Sequence, residues 1–102
     1  MSPRRRAVKL LALAERDLSD IEEYIAVDSP TAAERLLTRI QKDLSTLGAH
    51  PLMGRIPRDP DIARLGYRYL IISDYLAFYR REPSVVLVHR ILHEAREYSE
   101  IL

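Results

Sequence analysis

One hundred and two residues, 47% apolar and 30% charged, supply enough chain for one hydrophobic core and no second, so a single domain over residues 1–102 is expected. No apolar run is long enough to cross a bilayer, and the lack of cysteine removes disulfide frameworks and thiolate chemistry, so a cytoplasmic setting without membrane contact is expected. The formal net charge of +1 hides a division: residues 1–13 carry +4, residues 14–48 carry −4 and residues 49–102 carry +1.

Basic residues stand ahead of a short apolar stretch at the start, in the manner of a signal peptide. Glu15 and Asp17 cut that stretch to Ala7–Ala14, and an amphipathic pattern follows at once, so a first strand over Ala7–Leu13 is expected instead. Val8, Leu10 and Ala12 alternate there with Lys9, Leu11 and Leu13. Apolar residues on both faces point to a strand inside the sheet or under helices.

From Ala14 the period changes. Ala14, Leu18, Ile21 and Ile25 fall on one helical face, with Glu15, Arg16, Asp20, Glu22 and Glu23 elsewhere. Asp28-Ser29-Pro30-Thr31 then breaks the chain: Ser29 can cap a new helix and Pro30 suits its first position. The second helix carries Ala33, Leu36, Leu37, Ile40, Leu44 and Leu47 on a stripe, and Gly48 is its expected stop. Two amphipathic helices joined so tightly form an antiparallel hairpin with a shared apolar side.

His50 to Gly66 holds three prolines and two glycines, which exclude a long regular element and predict a loop crossing to a sheet. Tyr67–Ser73, Tyr75–Glu82 and Val85–Leu92 are β-rich runs separated by very short breaks, as in an antiparallel meander. Glu94–Leu102 has the spacing of a short terminal helix. The expected fold is α+β, in the order β-α-α-β-β-β with an optional last helix, the helical hairpin covering one face of a mainly antiparallel four-stranded sheet.

Chemistry-bearing motifs are sparse. His50, His89 and His93 lack the spacing and carboxylate company of a metal site, so no metal and no cofactor is expected. No glycine-rich phosphate loop and no GxSxG serine is present. What remains is arginine, tyrosine and histidine on the sheet and its approach: Arg55, Arg58, Arg64, Arg68, Tyr79, Arg80, Arg81, His89, Arg90, His93 and Arg96. Fourteen of the sixteen bases are arginine, which favours bidentate contact with carboxylate or phosphate, although coding-DNA composition gives the same excess. Strict alternation places Arg90 in a row with Val86, Val88 and Leu92. Its structural reading is an arginine whose stem packs and whose head pairs with Glu94 or Asp74. Its functional reading is part of a basic, aromatic-edged surface for a protein carboxylate or a nucleic-acid phosphate.

Taken in order, several short stretches resemble toxins of the ParE/RelE superfamily, the toxic half of type II toxin–antitoxin (plasmid-stabilisation) modules. They are Ala14–Ile21 with Tyr24-Ile25-Ala26, then Ser29–Ala33, His50–Arg55, Leu76–Arg80 and Arg90–Tyr98. The resemblance implies a cognate antitoxin that binds DNA and wraps the toxin in a hetero-oligomer. It also implies one of two activities. RelE-like members are ribosome-dependent mRNA interferases, for which Arg90, His93 and Arg96 would be recruited here. ParE-like members are understood to poison DNA gyrase and have no recognised catalytic set.

The RelE-like pattern wants an arginine early in the third strand and a basic or His-Tyr pair after the fourth. Leu76 stands at the first place and Leu92-His93-Glu94 at the second. The ending Arg90–Arg96 also looks more like the ParE-like branch, which makes inhibition of DNA gyrase the favoured expectation. RNA cleavage at the ribosome is the alternative, and an inactive homologue retaining only antitoxin binding is a third. On the basic, aromatic-edged surface, target- or antitoxin-binding is expected at Arg55, Arg68, Tyr79, Arg80, Arg90, His93 and Arg96.

Overall fold

A computed structural model describes residues 5–96 of the chain. Strand β1 (Ala7–Leu10) leads into helices α1 (Ala12–Asp28) and α2 (Pro30–Thr46), a short helix α3 (Pro60–Arg64), and strands β2 (Tyr67–Ile72), β3 (Tyr75–Arg81) and β4 (Val85–His93). The sheet order is β1-β4-β3-β2; β1 runs parallel to β4, and the other two pairings are antiparallel.

The first strand is shorter than expected and lies at the sheet edge, not inside it. Leu11 takes the extended N-cap position of α1, and Ala12 and Leu13 join the helix, whose first residues (Ala-Leu-Ala-Glu) are strong helix formers. With those residues removed, the two-faced apolar pattern disappears. Val8 and Leu10 pack against the core while Ala7 and Lys9 are exposed.

Ser29 caps α2 as expected: its hydroxyl accepts from the Ala32 N–H at 3.1 Å, and Pro30 follows at the first helical position. Gly48 does not stop α2 through a left-handed turn, because Gly66 is the only glycine with positive φ. A Cβ at Gly48 would instead run into the Arg6 carbonyl, where the incoming chain bonds to Gly48 through the Arg6 N–H at 2.8 Å.

The hairpin faces of α1 and α2 cover the sheet. Ala14, Ile40, Leu44 and Leu47 pack with Ile72, Ala77, Tyr79, Val86, Val88 and Ile91 in one core, with Leu18, Ile21 and Leu36 at its margin. At roughly 1.5–3 kcal/mol for each large apolar side chain taken out of water, this cluster is the main stabilising term of the fold.

Strand β4 departs from strict alternation. Phe78 opposes Arg90 and Tyr79 opposes Val88, so His89 is an extra residue on β4, a β-bulge. The slip turns Ile91 to the hairpin side with Val86 and Val88, where unbroken alternation would have set it opposite. Within the proline-rich segment α3 forms because Pro60 opens it and the Asp59 carboxylate accepts from the Asp61 and Ile62 N–H groups. The expected terminal helix is a turn as far as Arg96; its remainder lies outside the described residues.

Candidate functional site

The residues expected to share one surface fall into three groups, because the sheet sends them to different faces and ends. The first group ties the loop before the sheet to strands β2 and β3. Tyr79 is 1% exposed, so it lies in the core and not on a binding surface. Its hydroxyl donates to the Pro51 carbonyl at 2.8 Å and accepts from the Gly54 N–H at 2.9 Å. Burial pushes the phenol above its ordinary range, partly offset by the Gly54 hydrogen bond and the nearby Arg68 cation, so it stays a neutral donor.

Arg68, opposite Tyr79 on β2, sends one guanidinium nitrogen to the Leu52 carbonyl at 3.3 Å and the Gly54 carbonyl at 2.9 Å. Arg55 and Tyr69 exchange backbone hydrogen bonds of 2.8 and 2.9 Å, a one-residue extension of the sheet beyond β2. Gly54 is required at this crossing: a Cβ there would sit 2.5 Å from the Tyr79 hydroxyl and 2.9 Å from the Tyr69 carbonyl. Of the expected site residues here, only the Arg55 side chain is exposed; Arg68 and Tyr79 hold the loop.

The second group lies on the face away from the hairpin. The Arg80 guanidinium stands 5.6 Å from the centre of the Tyr67 ring, and the Tyr67 hydroxyl is 3.2 Å from His89 Nδ1. Burial, reinforced by Arg80 and opposed by Glu82, lowers the His89 pKa below 6.5. Its Nε2 is buried and has no hydrogen-bond partner among the described residues. Arg80 is half-buried, whereas Arg81, Arg58 and Arg64 are exposed, the last paired with Asp61 at 2.7 Å.

The third group sits where β4 ends beside α1. Arg90 meets Asp17 in a two-pronged ion pair, Nε at 2.7 Å and a terminal nitrogen at 2.8 Å, and the same carboxylate accepts from the Ile91 N–H at 2.9 Å. The two side chains are 18% and 12% exposed. The structural reading of Arg90 therefore holds, with Asp17 as its partner in place of Glu94 or Asp74. Past it, the exposed His93 ring stands edge-on to Tyr75 at 5.5 Å, and its Nδ1 accepts from the Ala95 N–H at 3.1 Å. His93 and the exposed Arg96 border a groove of about 710 Å³ that also takes in Asp17, Asp20, Asp74, Tyr24 and Tyr75. Among the described residues no cluster of His, Cys, Asp or Glu is arranged to hold a metal ion.

A second groove of about 480 Å³ opens between the helices and β1. Val8, Leu10, Leu18, Leu37 and Leu44 line it, with Glu15 and Glu22 at its edge.

The sequence pattern of the ParE toxin of the type II toxin–antitoxin system parDE matches residues 8–98. The chain belongs to this ParE toxin family. It is 28% identical over 100 residues to the candidate toxin Y4kP of Sinorhizobium fredii, spanning 96% of this chain and 98% of that one. The ParE-type fold is equally evident in solved structures. A chain of the chromosomal ParDE system of P. aeruginosa superposes with a TM-score of 0.72 at 22% identity, covering 88% of this chain and 97% of the other. One of the RelBE2 toxin–antitoxin complex of Mycobacterium tuberculosis gives 0.62 at 21% identity, covering 87% and 98%.

Within this ParE chain, sequence reasoning missed Asp17 as the partner of Arg90, and it missed the part played by Pro51 and Gly54. Asp17 sits 73 residues from Arg90, beyond any local spacing rule. Pro51 and Gly54 belong to the His50–Arg55 stretch, whose glycine was a visible sign of a close backbone approach.

Proposed function

We propose that this ParE-family chain is a toxin that acts in the cytoplasm by binding and inhibiting DNA gyrase, and that a cognate antitoxin neutralises it. The observation that carries this reading is the state of the residues an RNA-cleaving relative would use. Arg90 commits its Nε and one terminal nitrogen to Asp17, so the side-on fork of its guanidinium is already occupied by a carboxylate. The groove beside His93 and Arg96 also includes Asp20 and Asp74, carboxylates without an ion pair among the described residues, which repel an RNA backbone. Among the described residues a base, an acid and an anion clamp are not aligned on one another there, which supports binding over catalysis.

The groove between the helices and β1 suits the antitoxin. It offers an apolar floor with an acidic rim, the complement of an amphipathic segment bearing basic residues. The outer edge of β1 adds open backbone groups beside that groove.

Expression without the antitoxin tests the reading. Growth should stop with filamentation and induction of the DNA-damage response, and the purified protein should inhibit supercoiling by gyrase. Immediate loss of translation with cleaved mRNA, and normal supercoiling in the presence of excess protein, would overturn it.

A further inference from the structure

The loop His50–Arg58 is fastened along its backbone and apolar at its tips. Tyr79 and Arg68 hold its backbone through Pro51, Leu52 and Gly54, and Arg55 is paired into the sheet edge. Yet Leu52, Met53 and Ile56 are 55%, 50% and 59% exposed. Side chains displayed on an already ordered backbone lose rotamer freedom when buried by a partner but require no backbone ordering, which lowers the cost of using them as interface anchors.

Charge defines the rest of the surface. Arg55 and Arg58 are exposed and make no ion pair among the described residues. The two carboxylates that follow are turned to the chain's own use, Asp59 capping α3 and Asp61 holding Arg64. The apolar tips are thus flanked by unneutralised cations, opposite in sign to the acidic rim of the helical hairpin.

We propose that this loop is the surface through which the toxin engages its target, and that the target is a protein presenting an apolar depression bordered by carboxylates. The inference rests on the binding mode proposed above and adds the place of contact. A single-stranded nucleic acid fits less well: residues 50–58 contain no Phe, Tyr or Trp, the one exposed aromatic ring is His50 at the start of the loop, and the exposed tips are aliphatic or thioether.

The test uses the full chain carrying Leu52→Ser, Met53→Ser and Ile56→Ser together, with Arg55→Glu/Arg58→Glu as a second variant. None of the five side chains lies in the core, so both variants should stay folded and co-purify with the antitoxin of the adjacent reading frame. The serine variant should have a lowered unfolding midpoint, because each apolar tip is half covered and Met53 Sδ accepts from the Thr46 hydroxyl. The serine variant should need about 100-fold more protein to inhibit gyrase supercoiling, as expected when an anchor cluster is truncated, with growth arrest weakened in step. The glutamate variant should weaken association most at low salt, with its difference from wild type shrinking as salt screens the rim.

Wild-type potency in the serine variant overturns the inference, as does loss of antitoxin co-purification. Loss of self-association in that variant, with potency kept, would assign the loop to a second copy of the chain. Binding of a single-stranded RNA oligonucleotide that depends on the arginines and not on the apolar tips would assign it to nucleic acid. Either result overturns it too. If wild type arrests growth without touching supercoiling, the gyrase reading falls alone and growth arrest judges the loop; if wild type does not arrest growth, both fall.

Discussion

At the scale of single residues, three side chains expected to face a partner, Arg68, Tyr79 and Arg90, have structural duties, and that of Arg90 has the clearest energetic consequence. Arg90 lies largely out of water against Asp17, so either partner alone would leave a poorly solvated charge. Asp17→Ala should therefore cost roughly 2–4 kcal/mol, since it strands the guanidinium and also frees the Ile91 N–H. Arg90→Ala should cost less, because the Asp17 carboxylate keeps that N–H. The double substitution should cost clearly less than the sum of the singles. Urea unfolding of the three variants measures the coupling, and strict additivity would mean that the pair contributes nothing. Loss of toxicity in Arg90→Ala is then read against its stability and not as the loss of a contact with the target.

At the scale of elements, the bulge in β4 gives the sheet a proton-sensitive point. His89 is the extra residue, and the groups that bear on it are Tyr67 from β2 and Arg80 with Glu82 from the β3 side. Burial and the Arg80 cation hold its pKa below the ordinary 6.5, so between the folded and unfolded pKa values the unfolded chain binds more protons. Stability is full above 6.5 and falls as pH drops below it. Replacing His89 with Asn should flatten that fall, measured as unfolding midpoints between about pH 7.5 and pH 5 for both proteins. Equal slopes would show that His89 is not the titrating group.

The same strand shows why elements were easier to read in the sequence than their details. The three β-rich runs, the helical hairpin and the Ser29-Pro30 start of α2 follow from periodicity and capping chemistry, which are local. The slip at His89 has no local signature, because Val85–His93 is β-favouring throughout and register is set by what each face packs against. The start of α1 was obscured for a related reason. Leu11 caps it without a side-chain hydrogen bond, so the usual Ser, Thr, Asp or Asn marker is missing. The candidate site was less legible still: its residue types were visible, but their division among two faces and a buried clasp depends on contacts up to 74 residues apart.

At the scale of the whole molecule, the charge division noted in the sequence becomes a division of surfaces. The groove between the hairpin and β1 has an acidic rim, while the exposed arginines of the loop before the sheet stand apart from it. A toxin held by one partner and directed at another can use such a separation to keep the two contacts independent. Reversing the rim with Glu15→Lys/Glu22→Lys changes two exposed side chains and leaves the apolar floor intact. The antitoxin should then bind about 10- to 100-fold more weakly at low salt, with the gap narrowing as ionic strength rises. Inhibition of the target by the free protein should be unchanged, so cells carrying both genes should lose protection while the toxin keeps its potency. Titration of the antitoxin at two salt concentrations, beside a supercoiling assay, separates the two surfaces. Unaltered antitoxin affinity would remove the hairpin groove as its seat, and a parallel loss of target inhibition would show that one surface serves both partners.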